Sequence, residues 1–377
     1  MGIQLTKPLI VPEYENGRVT FYVEHPVTLQ TVALPAYAIN VQMPVTSLFP
    51  GKTAKVNSCA LNGNDLFITN SSRDSQCIFK LPDYLVQGGL AVLQTFVFTL
   101  DGSDYVGMAF DAAGNLYAAE GKFLDNRIVM FTGTDKAYPG PAAADVDNYA
   151  TRVDIGNAGA TSYFANLAFD PAGNLWASDY KNHRLVVFDG GKLGGTNTYH
   201  TLANLDASIP VANTDPALMG NTDHLFAEPE GIDFDAAGNL WVANNNDGQG
   251  AAGVQNPRTS IVQITPALQA AVLATPADGS PFQPNAGQNG TDFLIYQVPN
   301  LADDAGPRPQ FGGLQVDPAA GRIYINEEIA GNGRGYDIAT FAAIGTTTAP
   351  QDLDIVSTNP GNGGIKLVSK PLIVVVV

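Results

Sequence analysis

The chain is poor in most of what would give an easy functional answer. Of its 377 residues only 15% are charged, four are histidine and two are cysteine. Two thiols, Cys59 and Cys77, cannot build a zinc site by themselves. Basic residues are scarce: 19 Lys and Arg face 36 Asp and Glu, for a net charge of -17 and a pI near 4.4. A chain so acidic repels phosphate backbones, which excludes a nucleic-acid binder. No apolar run approaches the ~18–20 residues of a membrane helix, so no membrane insertion is expected. The longest, Pro371 to Val377, is far too short and is rich in β-branched residues. The start has neither a basic segment nor an apolar stretch of leader type, so no signal peptide is expected within this chain. A P-loop, a Rossmann fingerprint and a nucleophile elbow are all missing as well.

What is present is apolar, turn-rich and repetitive. Hydrophobic residues make up 45%, which excludes wholesale disorder, and 39 Gly with 25 Pro point to many turns. Low lysine with abundant Asn, Thr, Gly and Asp points to a periplasmic or extracellular protein. The length allows two or three average domains, or one closed β structure.

Self-similarity organises the chain. Residues 107–120 read GMAFDAAGNLYAAE, 166–179 NLAFDPAGNLWASD, 231–244 GIDFDAAGNLWVAN and 313–327 GLQVDPAAGRIYINE. Residues 58–70, SCALNGNDLFITN, form a shortened copy, so five repeats begin near 58, 107, 166, 231 and 313. Each predicts a β-hairpin: a short apolar strand, Asp-x-x-Gly-Asn, then a second strand. The Asp accepts turn amides and the Gly takes the positive-φ position. One aromatic recurs at the same place, as Phe67, Tyr117, Trp176, Trp241 and Tyr324, and is expected to pack between adjacent sheets. Third strands are expected at Gln76–Phe79, Arg127–Phe131, Arg184–Phe188 and Ser260–Ile264. Three clear strands and a weaker fourth per unit are the signature of propeller blades. No segment sustains a helical apolar period, so helices should be few.

Residues 178–188, SDYKNHRLVVF, resemble the Asn-His-Leu (NHL) repeat, in which Asn-His-Arg opens the third strand. Residues 125–131, DNRIVMF, resemble it with the His lost. With the hairpins, the resemblance covers most of residues 55–335. It implies an all-β fold: one six-bladed β-propeller domain over residues 1–377, with four-stranded antiparallel blades. The sixth blade is expected from both termini, closing the ring. Lys7-Pro8-Leu9-Ile10-Val11 recurs as Lys370-Pro371-Leu372-Ile373-Val374, in line with paired roles for the two ends. The same end strands could instead mediate self-association on an edge of a second copy. Cys59 and Cys77 fall on the first and third strands of one blade, an awkward separation for a disulfide.

Propeller geometry gathers two sets of residues on one face. Those leaving the second strands are Asn70, Glu120, Asp179, Asn244 and Glu327, an acid or amide in every copy. Such a ring can hold a hard cation such as Ca2+ through oxygen ligands, or each member can cap a loop by accepting backbone N–H bonds. Those entering the first strands include Asn57, Asp104, Tyr105, Tyr163, Phe164, His224, Glu230, Arg308 and Phe311. The fold is similar to that of propeller lactonases and phosphotriesterases, which place calcium ligands just before the first strand of several blades. Glu230 matches such a position, whereas Val106, Ala165 and Gly312 offer no side-chain ligand. The zinc-binding histidine set of the amidating lyases of this fold is not matched. Asn221 to Glu230 is the densest polar cluster, in which His224 and Glu230 are candidate catalytic residues. Insertions beginning at Asn244 and Glu327 are candidate recognition loops on the same face. The leading expectation is a non-catalytic scaffold that binds a protein or small molecule there. The alternative is a metal-dependent hydrolase or lyase with a central ion.

Overall fold

The computed structural model describes residues 2–5, 9–14, 16–24, 31–33, 39–48, 50–72, 75–87, 94–98, 104–121, 127–132, 151–156, 162–190, 193, 198–205, 209–210, 222–223, 225–244, 260–297, 311–317, 319, 321–327, 333–337, 351–352, 366–367 and 372–375. Among these the chain is mostly β, with six sheets of four or five strands. Sheet I comprises Val56–Asn62, Asp65–Asn70, Cys77–Leu81 and Gln94–Phe98. Sheet II comprises Asp104–Phe110, Leu116–Gly121, Arg127–Thr132 and Thr151–Gly156. Sheet III comprises Phe164–Phe169, Leu175–Asp179, Arg184–Phe188 and His200–Leu202, extended by Pro281–Phe282 in parallel. Sheet IV holds Pro229–Phe234, Leu240–Asn244, Ser260–Ile264 and Phe293–Gln297. Sheet V holds Phe311–Asp317, Arg322–Glu327, Gly333–Asp337 and Gln351–Asp352. The first two strands of sheets I to V are the hairpins expected from the repeats.

The terminal sheet joins the two ends of the chain. Lys366–Leu367 pairs with Leu9–Glu13, followed by Arg18–Glu24 and Thr31–Ala33. The repeated Lys-Pro-Leu-Ile-Val segments do not pair with one another. Leu9 meets Leu367, while Leu372–Val375 forms a separate antiparallel ribbon with Gly2–Leu5. Each first strand packs beside the next, from sheet I through sheet V, and Leu9–Glu13 lies beside Val56–Asn62. Phe311–Asp317 in turn touches Lys366–Leu367.

The Asp-x-x-Gly-Asn turns do more than reverse the chain. In sheet III, Asp170 Oδ1 accepts the amides of Ala172 (2.9 Å) and Asn174 (2.8 Å). Its Oδ2 accepts Asn174 Nδ2 (2.7 Å) and the indole N–H of Trp176 (3.2 Å). Asp111 does the same for Asn115 and the Tyr117 hydroxyl, and Asp235 for Asn239 and the Trp241 indole. The turn carboxylate thus satisfies the polar end of a ring that is otherwise wholly in the core, as buried Trp and Tyr require. The apolar part of each ring crosses to the next sheet. Phe67 meets Phe110 at 4.9 Å, Tyr117 meets Phe169 at 5.0 Å and Trp176 meets Phe234 at 6.5 Å between ring centroids. Each partner immediately precedes a turn Asp or its equivalent, so one repeated pair of residues ties sheet to sheet.

Helices are few and short among the described residues: Gln42–Leu48, Tyr84–Gln87 and Pro266–Leu273. The last buries Leu268 and Val272 in the core shared by sheets III and IV. Both thiols are free and buried; Cys59 points at the Ile10 carbonyl in the terminal sheet.

Candidate functional site

All five first strands carry a β-bulge at the same place, a device that bends a strand and redirects its side chains. The bulges fall between Val56 and Cys59, Tyr105 and Met108, Phe164 and Leu167, Pro229 and Ile232, and Phe311 and Leu314. Neighbouring bulges approach each other backbone to backbone. A Cβ on Gly107 would lie 2.6 Å from Asn166 Cα, and one on Gly231 would lie 2.5 Å from the Gly312 carbonyl oxygen. Glycine is required at these two positions by contact. Hydroxyls on or just after the second strands stitch the same region: Ser178 donates to the Glu230 carbonyl (2.6 Å), and Ser71 to that of Tyr105 (2.9 Å).

Asn70, Glu120, Asp179, Asn244 and Glu327 occupy one register, opposite Val56, Tyr105, Phe164, Pro229 and Phe311. Three of these side chains are described, and all three are buried and hydrogen-bonded. Asn70 Oδ1 accepts the Lys55 amide (2.7 Å), Asp179 Oδ1 that of Tyr163 (2.9 Å) and Asn244 Oδ1 that of Ala227 (3.2 Å). Each therefore holds the segment that enters its own sheet. The second polar atom holds the loop on the other side. Asn70 Nδ2 donates to the Ser75 carbonyl, Asn244 Nδ2 to Ser260 Oγ (2.9 Å) and the Leu225 carbonyl (3.1 Å), and Asp179 Oδ2 accepts from Asn182 and Arg184, both at 2.8 Å. The side chains of Glu120 and Glu327 lie outside the described residues. Among the described residues, no three His, Cys, Asp or Glu side chains gather as a metal-binding group.

A sixth member of this set escapes the repeat search. Glu13, at the end of its strand and fully buried, accepts from Asn16 (2.9 Å), Thr20 (2.5 Å) and Arg18. Glu13-Tyr14-x-Asn16-Gly17-Arg18 matches Asp179-Tyr180-x-Asn182-His183-Arg184 in sequence and in bonding. Gly17 and His183 share the left-handed conformation, with φ of 58° and 50°. The matching string of residue types was the available signal, and Gly in place of His hid it.

The polar cluster before Gly231 is partly described. His224 lies outside the described residues, as do Arg308, residues 245–259 and residues 328–332. The second expected insertion is not a loop throughout, because Gly333–Asp337 forms the third strand of sheet V. Leu225 to Glu230 is held from three sides. Asn204 bonds both backbone groups of Phe226 (2.6 and 3.0 Å), Asn244 takes Leu225 and Ala227, and His183 Nδ1 accepts the Glu228 amide at 3.0 Å. Glu230 is only 2% exposed and stands at the bulge of sheet IV. Asn57 holds the equivalent place in sheet I, and its buried Oδ1 has no hydrogen-bond partner among the described residues. Around the same end, Tyr163 and Tyr180 meet edge to face at 6.0 Å. Lys181 lies 5.7 Å over the Tyr163 ring, and Lys55 lies 4.8 Å over Tyr14.

No family model and no curated protein sequence matches the chain. Solved structures do. A nidogen–laminin complex aligns over 97% of this chain and 99% of its own at 12% identity, with a TM-score of 0.51. A protein of unknown function from Bacteroides caccae aligns over 97% and 100% at 10% identity, with a TM-score of 0.50. A catalytically inactive virginiamycin B lyase from Staphylococcus aureus, with quinupristin, aligns over 100% and 99% at 12% identity, with a TM-score of 0.47. At these identities the likeness concerns fold alone, and the fold is a β-propeller.

Proposed function

We propose that residues 1–377 form a single six-bladed propeller of NHL-repeat type that serves as a non-catalytic binding scaffold. The order of sheet contacts supports six blades closed by the terminal sheet, with Lys366–Leu367 as its innermost strand. Pairing of both ends within one chain, including the Gly2–Leu5 ribbon, supports closure over self-association. The observation that carries the binding reading is the use made of the repeat-position side chains. Asn70, Asp179 and Asn244 spend polar atoms on internal bonds that fix the entry segments, and Glu13 spends its own on the turn and strand that follow it. A cation would have to compete with those bonds for the same oxygens. What they build is a rigid rim bearing Tyr14, Lys55, Tyr163, Tyr180 and Lys181, on which a protein or small molecule in the periplasm or outside the cell would dock.

One observation favours the alternative of a metal-dependent hydrolase or lyase. Glu230 is a buried carboxylate at a first-strand bulge, and Asn57 presents a buried oxygen without a hydrogen-bond partner among the described residues at the equivalent bulge. Both are oxygen donors suited to a hard cation such as Ca2+, which when bound would act as a Lewis acid. A panel of lactones and aryl esters, assayed with added calcium, zinc or manganese, separates the readings. The scaffold reading expects no turnover above the buffer rate. Turnover that disappears in Glu230→Gln would replace it with the enzyme.

A further inference from the structure

His183 sits where the backbone alone asks for something else. It ends the short turn Tyr180–Asn182 in the left-handed conformation, φ 50° and ψ 50°. That conformation favours Gly, and the equivalent residue in the terminal sheet is Gly17. Unlike Gly17, His183 carries a side chain that reaches the next sheet. Its Nδ1 accepts the backbone N–H of Glu228 at 3.0 Å, from sheet III to the segment entering sheet IV. Glu228 is itself left-handed, with φ 53°, one of three such non-glycine residues among those described. Two costly conformations thus face one another across a single hydrogen bond.

We propose that His183 is a proton-operated latch on the segment Leu225–Glu230. An imidazole nitrogen accepts a hydrogen bond only when unprotonated, so this contact requires neutral His183 with its proton on Nε2. Protonation turns Nδ1 into a donor facing another donor, and the Glu228 amide loses its partner. Titratable groups lie on both segments that meet at this bond. On its own loop, Asp179 is already ion-paired with Arg184 at 2.8 Å, and Lys181 lies over Tyr163. The facing segment contributes Glu228 and the buried Glu230, and the entry to sheet III and the turn contribute Tyr163 and Tyr180. An imidazolium can no longer accept the Glu228 amide. The segment released carries Glu230 and leads into Gly231, so acid loosens the rim between sheets III and IV while Asn204 and Asn244 still hold its start. The latch stands whether the face binds a partner or a metal.

Amide hydrogen exchange on the intact protein, converted to protection factors, tests this. Lowering the pH from about 7.5 to about 5.5, across the range in which imidazoles take up a proton, should reduce protection of the Glu228 amide about tenfold. The Ala227 amide, held by Asn244, serves as the internal control. His183→Gly keeps the turn, as Gly17 shows, and should give low Glu228 protection at both pH values. Equal protection of the wild-type amide at the two pH values overturns the latch. So does an unchanged pH dependence in His183→Gly.

Discussion

Replacing Asp170 by Ala removes four hydrogen bonds at one stroke and tests why the repeat has its Asp and its aromatic in fixed register. Two of the bonds go to turn amides that water can partly recover, and one to the Asn174 carboxamide. The fourth orphans the indole N–H of Trp176, which is 0% exposed. An unsatisfied buried donor costs ~1–3 kcal/mol and the lost turn anchors add ~1–2, so Asp170→Ala should destabilise by about 2–5 kcal/mol. Urea unfolding followed by tryptophan fluorescence and by circular dichroism gives the value. A double-mutant cycle with Trp176→Phe isolates the indole bond, and about 1–2 kcal/mol of coupling is expected. Asp111→Ala should cost less, because the Tyr117 hydroxyl lies 3.4 Å from its carboxylate. A loss below ~1 kcal/mol for Asp170→Ala, or no coupling to Trp176, would refute the shared role of carboxylate and ring.

Three further outcomes follow from the packing. Gly231→Ala drives a Cβ into the Gly312 carbonyl and the Leu314 amide, so calorimetry should show a loss above ~2 kcal/mol, whereas Gly63→Ala, with open space around it, pays only for its positive φ. Cys59 and Cys77 are fully buried, and burial pushes the Cys77 thiol well above its ordinary pKa, so neither should react with a thiol reagent at neutral pH until denaturant is added. Burial, then the charge of Asp111 and the hydrogen bond to it, raises the Tyr117 hydroxyl, and burial alone raises Tyr84 and Tyr296. A raised folded value means that their contribution to stability is complete below the unfolded phenol pKa of ~10 and is lost as the pH rises beyond it. Ultraviolet titration should show these phenols ionising late, together with alkaline unfolding; ionisation near the ordinary value with the fold intact would contradict their placement.

How much was legible depended on which interactions are local. The hairpins of sheets I to V were readable because turn Asp, turn Gly, turn Asn and aromatic sit within one short segment, and their bonds are made there. The terminal sheet was readable only as a pairing of ends. Its first strand comes from Lys366–Leu367, so no turn joins it to Leu9–Glu13 and the strongest repeat signal cannot exist. Without that turn before its strand, Glu13 is signalled only by its match to the Asp179 string, in which Gly17 replaces His183. At the candidate site, the polar residues closing each second strand were identified, but sequence left two uses open for them. The choice rests on which backbone amides come within reach of Asn70, Asp179 and Asn244, and those amides lie 15 to 17 residues away on the far side of a hairpin. The bulges, and the Gly107 and Gly231 contacts they impose, depend on a neighbouring sheet, so spacing within one repeat could not reveal them.

The decisive measurement is the metal content of protein purified without chelators, by elemental mass spectrometry, alongside Glu230→Gln. A binding scaffold with structurally committed repeat residues predicts no stoichiometric calcium, zinc or manganese in either protein. One equivalent of metal in the wild type, lost in Glu230→Gln with the fold unchanged, would contradict it and establish a metal centre at the sheet IV bulge.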